Sequence, residues 1–265
     1  MKLTAIILIT LFYKEPTVYG QSYIGKAGTL TIVNKDSFKL RGNISVTGLI
    51  QTGNENRTVV SLLSLISLGN SQYQVEPLTS IAYSTKPGRQ VEGEYLENIV
   101  VRYQQKKLFY PAAGFSFEKS LLRKIDYRWS SAILIIFNLL QKDDQLIKAG
   151  IGYNHDFTRF VSGAFNGSTI ANKIGYRQNS DQLYLRLKGK NNFFKNNFIL
   201  SYDFYYQPSF SNFNDYRWTL ISNLDIPVTK LVDLRANLLS SYDSLVATSI
   251  AKYNFRLTYG ISIKF

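Results

Sequence analysis

His155 is the single histidine of the chain, and Asp156 follows it directly. A histidine oriented by a carboxylate can take the proton of a serine and turn it into a nucleophile. Ser162 and Ser168 follow in the next stretch, so a membrane-lipid hydrolase built on His155 is one chemistry to weigh. No partner motif accompanies the pair, and no catalytic residue is assigned. With one histidine and no cysteine, multi-histidine and thiolate metal sites, Fe–S clusters, disulfides and thiol nucleophiles are excluded. Gly150-Ile151-Gly152 lacks the third glycine of a dinucleotide fingerprint, and the stretch from Gly163 to Gly167 lacks the lysine of a phosphate loop. Asp143-Asp144, and Asp225 with Asp233, do not carry the alternating oxygen spacing of a calcium loop. The reading therefore expects no metal and no cofactor.

Charge is the stronger signal. Lys+Arg number 31 against 18 Asp+Glu, a formal net charge of +13. Such an excess wants an anionic neighbour: nucleic acid, a phosphorylated lipid surface or an acidic ligand. At 45% hydrophobic residues the chain is too apolar to be a disordered basic tail.

What must position these side chains is a set of strands. Phe38, Leu40, Gly42, Ile44, Val46, Gly48 and Ile50 alternate with Lys39, Arg41, Asn43, Ser45, Thr47, Leu49 and Gln51. Successive side chains of a strand point to opposite faces, so one face is apolar and the other charged or hydroxylic. The end of the chain repeats the pattern: Phe255, Leu257, Tyr259, Ile261, Ile263 and Phe265 on one face, Asn254, Arg256, Thr258, Gly260, Ser262 and Lys264 on the other. Ile147/Ala149/Ile151/Tyr153, Leu183/Leu185/Leu187 and Val232/Leu234/Ala236/Leu238 continue it between. About twelve such segments follow one another: 38–50, 57–68, 73–84, 95–105, 108–118, 126–139, 145–156, 173–187, 194–206, 216–226, 232–243 and 251–265. Each is about ten residues long, more than the usual soluble strand and enough to cross a bilayer at a tilt.

The connections sort into an interleaved short set (such as 141–144, 188–191 and 227–230) and a longer set (51–56, 85–94, 119–125, 157–172, 207–215 and 244–250). That is the plan of an all-β, up-and-down antiparallel transmembrane β-barrel with both termini at the short-turn end. Aromatic residues make up 14% of the chain and gather near strand ends, as in the interfacial girdles of such barrels. The apolar stripe is then expected to face lipid. The stripe from Phe255 to Phe265 resembles the carboxy-terminal signal read by the barrel-assembly machinery during insertion. The inward stripe is expected to carry Lys39, Arg41, Arg102, Arg128, Lys148, Arg186, Lys188, Arg217, Arg235, Arg256 and Lys264, against Glu118, Asp126, Asp225 and Asp233. Such a lumen would be an ion-pair network with positive excess, either conducting anions or filling and rigidifying a narrow barrel. Basic loop residues such as Lys86, Arg89, Arg123 and Lys124 could meet lipopolysaccharide phosphates, and nucleic acid is not an expected partner.

Ahead of the barrel, Met1-Lys2, an apolar run over 3–12 and Val18-Tyr19-Gly20 have the layout of a signal peptide. The expected organisation is a signal peptide at 1–20, a short periplasmic segment at 21–37 and the barrel at 38–265, exported to the outer membrane.

Several short motifs add a resemblance. Leu40-Arg41-Gly42-Asn43-Ile44, Thr52-Gly53-Asn54, Phe117-Glu118-Lys119-Ser120, Lys124-Ile125-Asp126-Tyr127-Arg128 and Ala149-Gly150-Ile151-Gly152-Tyr153 resemble the YdiY-like, salt-stress-induced outer-membrane proteins (domain of unknown function 481). So do Tyr206-Gln207-Pro208-Ser209, Asp215-Tyr216-Arg217 and Tyr242-Asp243-Ser244, in the manner of Bacteroidota-type members. Ser131, Ala132 and residues 134–136 depart from it, where a glycine-rich strand is typical. The resemblance implies an outer-membrane barrel and no established reaction. The functional expectation is a narrow anion-preferring pore or a structural barrel, with two alternatives: the hydrolase using His155, and a subunit that presents its loops to a complex.

Overall fold

The computed structural model describes residues 38–51, 57–70, 72–86, 89–165, 175–194, 197–248 and 250–265. The predicted signal peptide and the segment 21–37 lie outside the described residues. Among those described, twelve strands follow in order: β1 Lys39–Gln51, β2 Arg57–Gly69, β3 Tyr73–Lys86, β4 Arg89–Tyr103, β5 Phe109–Ser120, β6 Ile125–Gln141, β7 Gln145–Phe160, β8 Arg177–Phe193, β9 Phe198–Pro208, β10 Tyr216–Pro227, β11 Val232–Asp243 and β12 Tyr253–Lys264. Each pairs antiparallel with its sequence neighbours, and β12 returns to β1, so the sheet is closed. Closure leaves no free sheet edge, the condition for crossing hydrocarbon.

The alternation read from the sequence decides which face is which. In β12 Ile261 and Ile263 are 50% and 52% exposed, while Thr258 and Ser262 between and below them are 1% and 0%. In β6 Ile133 is 69% exposed and Leu139 61%. The greasy stripe is outside and the polar stripe inside, the arrangement of a transmembrane β-barrel and the reverse of a soluble one.

The seam depends on two glycines. Phe265 donates its N–H to the Gly42 carbonyl at 3.0 Å and accepts from Gly42 N at 2.9 Å, and its ring lies over the space a Gly42 side chain would occupy. On β12, a Cβ on Gly260 would come 1.9 Å from the Val46 carbonyl oxygen of β1. The strands close because nothing stands between them there.

Three boundaries differ from the sequence reading. The predicted loop 85–94 is strand on both sides of a connection of only 87–88, and the predicted loop 119–125 shrinks to 121–124. Arg89 to Glu94 hold one apolar residue, Val91, so no period-2 stripe marks them as strand in the sequence. The predicted turn Lys188-Gly189-Lys190-Asn191 lies inside β8, and the connection is at 194–197. Two lysines and a glycine look like a turn, but Lys188 is buried in the lumen. The long connections are therefore 161–176, 209–215 and 244–252, with 52–56 outside the described residues.

Candidate functional site in the lumen

Inward residues of successive strands converge into three tiers. The tier nearest the long connections is ionic. Arg217 (β10) reaches Asp156 (β7) with Nη2–Oδ1 at 3.1 Å and Nη1–Oδ2 at 3.3 Å. It also donates to Gln207 Oε1 at 2.8 Å and Gln182 Oε1 at 3.2 Å. Arg128 donates to Thr158 Oγ1 at 2.7 Å and lies 3.8 Å from Glu118 and 3.9 Å from Asp243. Arg123 pairs with Glu118, and Ser130 donates to Asp156 at 2.5 Å. All these charged groups are buried or nearly so, and each has its counterion within reach, as a low dielectric requires.

The middle tier is apolar. Tyr110, Ala112, Leu134, Ile136, Tyr184, Tyr205, Ile221 and Leu239 form one cluster, with Tyr184 and Tyr205 edge to face at 6.1 Å. Ile221 and Leu239 have no solvent contact at all. A smaller patch, Leu65, Leu78, Ala82 and Leu96, faces inward from β2–β4. A small pocket adjoins Leu96, Val100 and Leu134 on one side and Asn154, Gln207, Arg186 and Arg217 on the other.

The tier at the short-turn end is again ionic. Arg102 holds Glu76 bidentately at 3.1 and 3.0 Å, and Arg186 holds Asp203 at 2.8 and 2.5 Å. Arg235 holds Asp225 at 2.6 and 2.9 Å and reaches Ser45 Oγ at 3.2 Å. Lys264 donates to Asp233 at 2.7 Å. Lys188 stands 4.0 Å from both Glu76 and Asp203, and Lys148 donates to the Tyr110 hydroxyl at 3.0 Å.

Of the fifteen expected luminal charges, Arg102, Arg128, Lys148, Arg186, Lys188, Arg217, Arg235, Lys264, Glu118, Asp225 and Asp233 lie in these tiers. Lys39, Arg41 and Arg256 are half-buried on the inward stripes of β1 and β12. Asp126 is the exception: it sits at the bulge that opens β6 and pairs on the outer side with Arg159, 3.4 Å away, which lies over the Tyr127 ring. A bulge shifts the alternation by one residue, and that turns Asp126 outward. Sequence reasoning did not include Glu76, Asp156, Asp203, Asp243 and Arg123. The same even-numbered stripe through Gln74 and Leu78 would have found Glu76. The apolar tier was missed too, although the unbroken run over 132–137 is the mark of a strand apolar on both faces.

His155 and Asp156 are separated by the pleat: Asp156 faces the lumen and His155 the outside. His155 Nδ1 meets Asp181 Oδ1 of β8 at 2.7 Å, Tyr153 also donates to Asp181, and the Trp129 ring is 5.5 Å away. The residue directly opposite His155 on β6 is Ser131, which is exposed. Ser162 stands exposed just past β7, and Ser168 lies outside the described residues. Among the described residues no three His, Asp or Glu side chains gather as a metal site.

The long-loop mouth is covered. Lys124, in the β5–β6 turn, donates to the Thr248 carbonyl of the β11–β12 loop at 3.1 Å, across half the barrel circumference. Thr248 N donates to Ala164 O at 2.8 Å, and Val161 N to Lys124 O at 2.9 Å. Ile125, Phe160, Ala164 and Ala247 bury one another beneath them.

A family model described as "Protein of unknown function, DUF481" matches residues 44–265. Among solved structures, the NanC porin aligns at 10% identity over 84% of this chain and 100% of its own, with a TM-score of 0.49. An outer membrane channel from Pseudomonas putida F1 aligns at 11% identity over 92% and 100%, TM-score 0.47, and the KdgM porin at 12% over 86% and 99%, TM-score 0.43. No curated protein matches the chain.

Proposed function

The chain belongs to the DUF481 family of proteins of unknown function, and from that premise we propose that it is an outer-membrane barrel whose resting lumen is closed. It acts as a rigid, basic-lined barrel that admits small anions in preference to cations when the closure gives way. The observation that carries this reading is the apolar tier: Ile221 and Leu239, without solvent contact, narrow the lumen between the two ionic tiers, with the pocket that Arg186 and Arg217 both line beside them. Water-filled ion paths need a continuous polar lining, and an apolar constriction bars them by dewetting. The loop cover and the bidentate ion pairs hold the same closed arrangement. Purified protein in planar bilayers under a KCl gradient tests it: no current steps are expected from the native chain. Steady open channels, or cation selectivity once the apolar tier is trimmed, would overturn it. Membrane fractionation checks the location, with the protein expected in the outer-membrane fraction.

One observation favours a second reading, a lipid-modifying hydrolase. Asp181, His155 and Ser131 stand in one cross-strand row on the outer wall, at a height flanked by Trp129 and Tyr153. A carboxylate–imidazole–hydroxyl row facing lipid has the members of a nucleophilic triad. Phospholipid hydrolysis by the native chain, lost in His155→Ala, is its expected signature; no hydrolysis, or hydrolysis unchanged in the variant, ends it.

A further inference from the structure

The two ionic tiers are not balanced alike. Near the long connections Arg123, Arg128 and Arg217 face Glu118, Asp156 and Asp243, with the buried Glu94 carboxylate beside them on Ser120. At the short-turn end Glu76 is held bidentately by Arg102 and Asp203 by Arg186. Among the described residues Lys148 has no carboxylate within ion-pair reach, and Lys188 shares, at 4.0 Å, only the two that Arg102 and Arg186 already hold. The two lysines are direct cross-strand partners of β7 and β8, both pointing inward. They are only 8% and 5% exposed. Among the described residues Lys188 Nζ finds no hydrogen-bond acceptor, and the Lys148 contacts recorded are with Tyr110, its hydroxyl and its ring face.

Like charges directly opposite each other on a sheet repel, and a buried ammonium that lacks a counterion, or only shares one already held by an arginine, is disfavoured. An ammonium carries three donors, so the pair presents unused donors to one point of the lumen. We propose that Lys148 and Lys188 form a binding site for a small inorganic oxyanion of phosphate type, entered from the short-turn mouth. The anion bridges the two Nζ atoms by charge-assisted hydrogen bonds, and Arg102 and Arg186 beside them add positive field while remaining on their carboxylates. Glu76 and Asp203 limit the site to one small anion, because a bulkier polyanion would be forced against them. The site lies on the short-turn side of the apolar tier, so it fills whether or not the barrel conducts.

The test uses the full chain in zwitterionic micelles with inorganic phosphate as probe and gluconate at equal ionic strength as control. A saturable rise in Tm and saturable broadening of the phosphate 31P signal are expected with phosphate and not with gluconate. Lys148→Gln and Lys188→Gln should each weaken the apparent phosphate affinity about tenfold or more, the loss of one charge-assisted contact. Lys230→Gln, in the exposed β10–β11 turn, should leave it unchanged. In phosphate-free buffer the two luminal variants should unfold no earlier than the native chain, because each removes a buried like-charge contact. Equal response to phosphate and gluconate, absence of 31P broadening in the native chain, or retained affinity in both luminal variants would overturn the site. These readouts need no current, so they succeed or fail separately from the closed-lumen reading.

Discussion

Arg217 on β10 and Asp156 on β7 form a two-pronged ion pair, 3.1 and 3.3 Å long, across three strand positions of the barrel. Neither strand touches the other through the backbone ladder. The pair is a brace inside the wall, and Gln182 and Gln207 of the intervening strands share the same guanidinium. Side chains here add contacts between strands that hydrogen bonding along the sheet leaves apart.

Removing one end of that brace leaves the other charge buried. Arg217→Ala and Asp156→Ala should each destabilise the barrel by about 3–5 kcal/mol, and the double variant by clearly less than the sum. Urea unfolding from lipid vesicles measures this. Strict additivity would show that the two side chains act independently.

Trimming the apolar tier should have two effects at once. Leu239→Ala and Tyr205→Ala each remove buried volume, at a cost of about 2–5 kcal/mol. They should also produce current steps in planar bilayers where the native chain gives none. The reversal potential in a KCl gradient should carry the sign for chloride, since the lumen beneath holds more cations than anions.

At the seam, Gly260→Ala should impair closure of the barrel, because its Cβ would fall 1.9 Å from the Val46 carbonyl oxygen, which is backbone and cannot step aside. Gly150→Ala, whose Cβ would meet only side-chain atoms at 3.6 Å or more, should be tolerated. Heat-dependent gel mobility compares the two: the folded, fast-moving band should be depleted for the first variant alone.

At the long-loop end the β11–β12 loop is tied across the barrel by Lys124, which donates to the Thr248 carbonyl, and by the Thr248 N–H, which donates to Ala164 O. Lys124→Ala should speed amide hydrogen exchange at Thr248 and protease cleavage within 244–252, while the strands keep their protection. Unchanged exchange at Thr248 would mean that its own bond to Ala164 and the apolar contacts beneath hold the loops without Lys124.

On the outer wall, Ile133→Arg should cost about 2–4 kcal/mol in a bilayer, as a cation at mid-membrane depth does. The inward-facing neighbour Asn154→Arg would meet the lumen and not lipid. Comparing unfolding in vesicles of each variant checks which stripe meets hydrocarbon.

Where the sequence reading failed, the reason is local. Lys188-Gly189-Lys190-Asn191 has turn composition, and only the lumen's capacity to hold Lys188 makes it strand. The stretch 89–94 carries only Val91 as an apolar residue, so it shows no alternating stripe to read as strand. Asp126 was placed inside by counting from Arg128, and a bulge between Ile125 and Tyr127 broke the count. His155-Asp156 looked like a pair because the residues are adjacent, yet adjacency in a strand guarantees opposite faces.

By itself the sequence determined the class of fold, about twelve long alternating strands and the apolar face that turns outward, because period-2 patterning is a local property that each strand carries alone. It also determined most of the inward charges for the same reason. Which charge meets which, the apolar tier of Tyr110, Tyr205, Ile221 and Leu239, the Asp181–His155–Ser131 row and the lysine pair at 148 and 188 were decided only by the tertiary structure. The row and the lysine pair need the register of β6, β7 and β8, and the contacts across the lumen join residues up to half a circumference apart, which meet only when β12 finds β1 and the sheet closes.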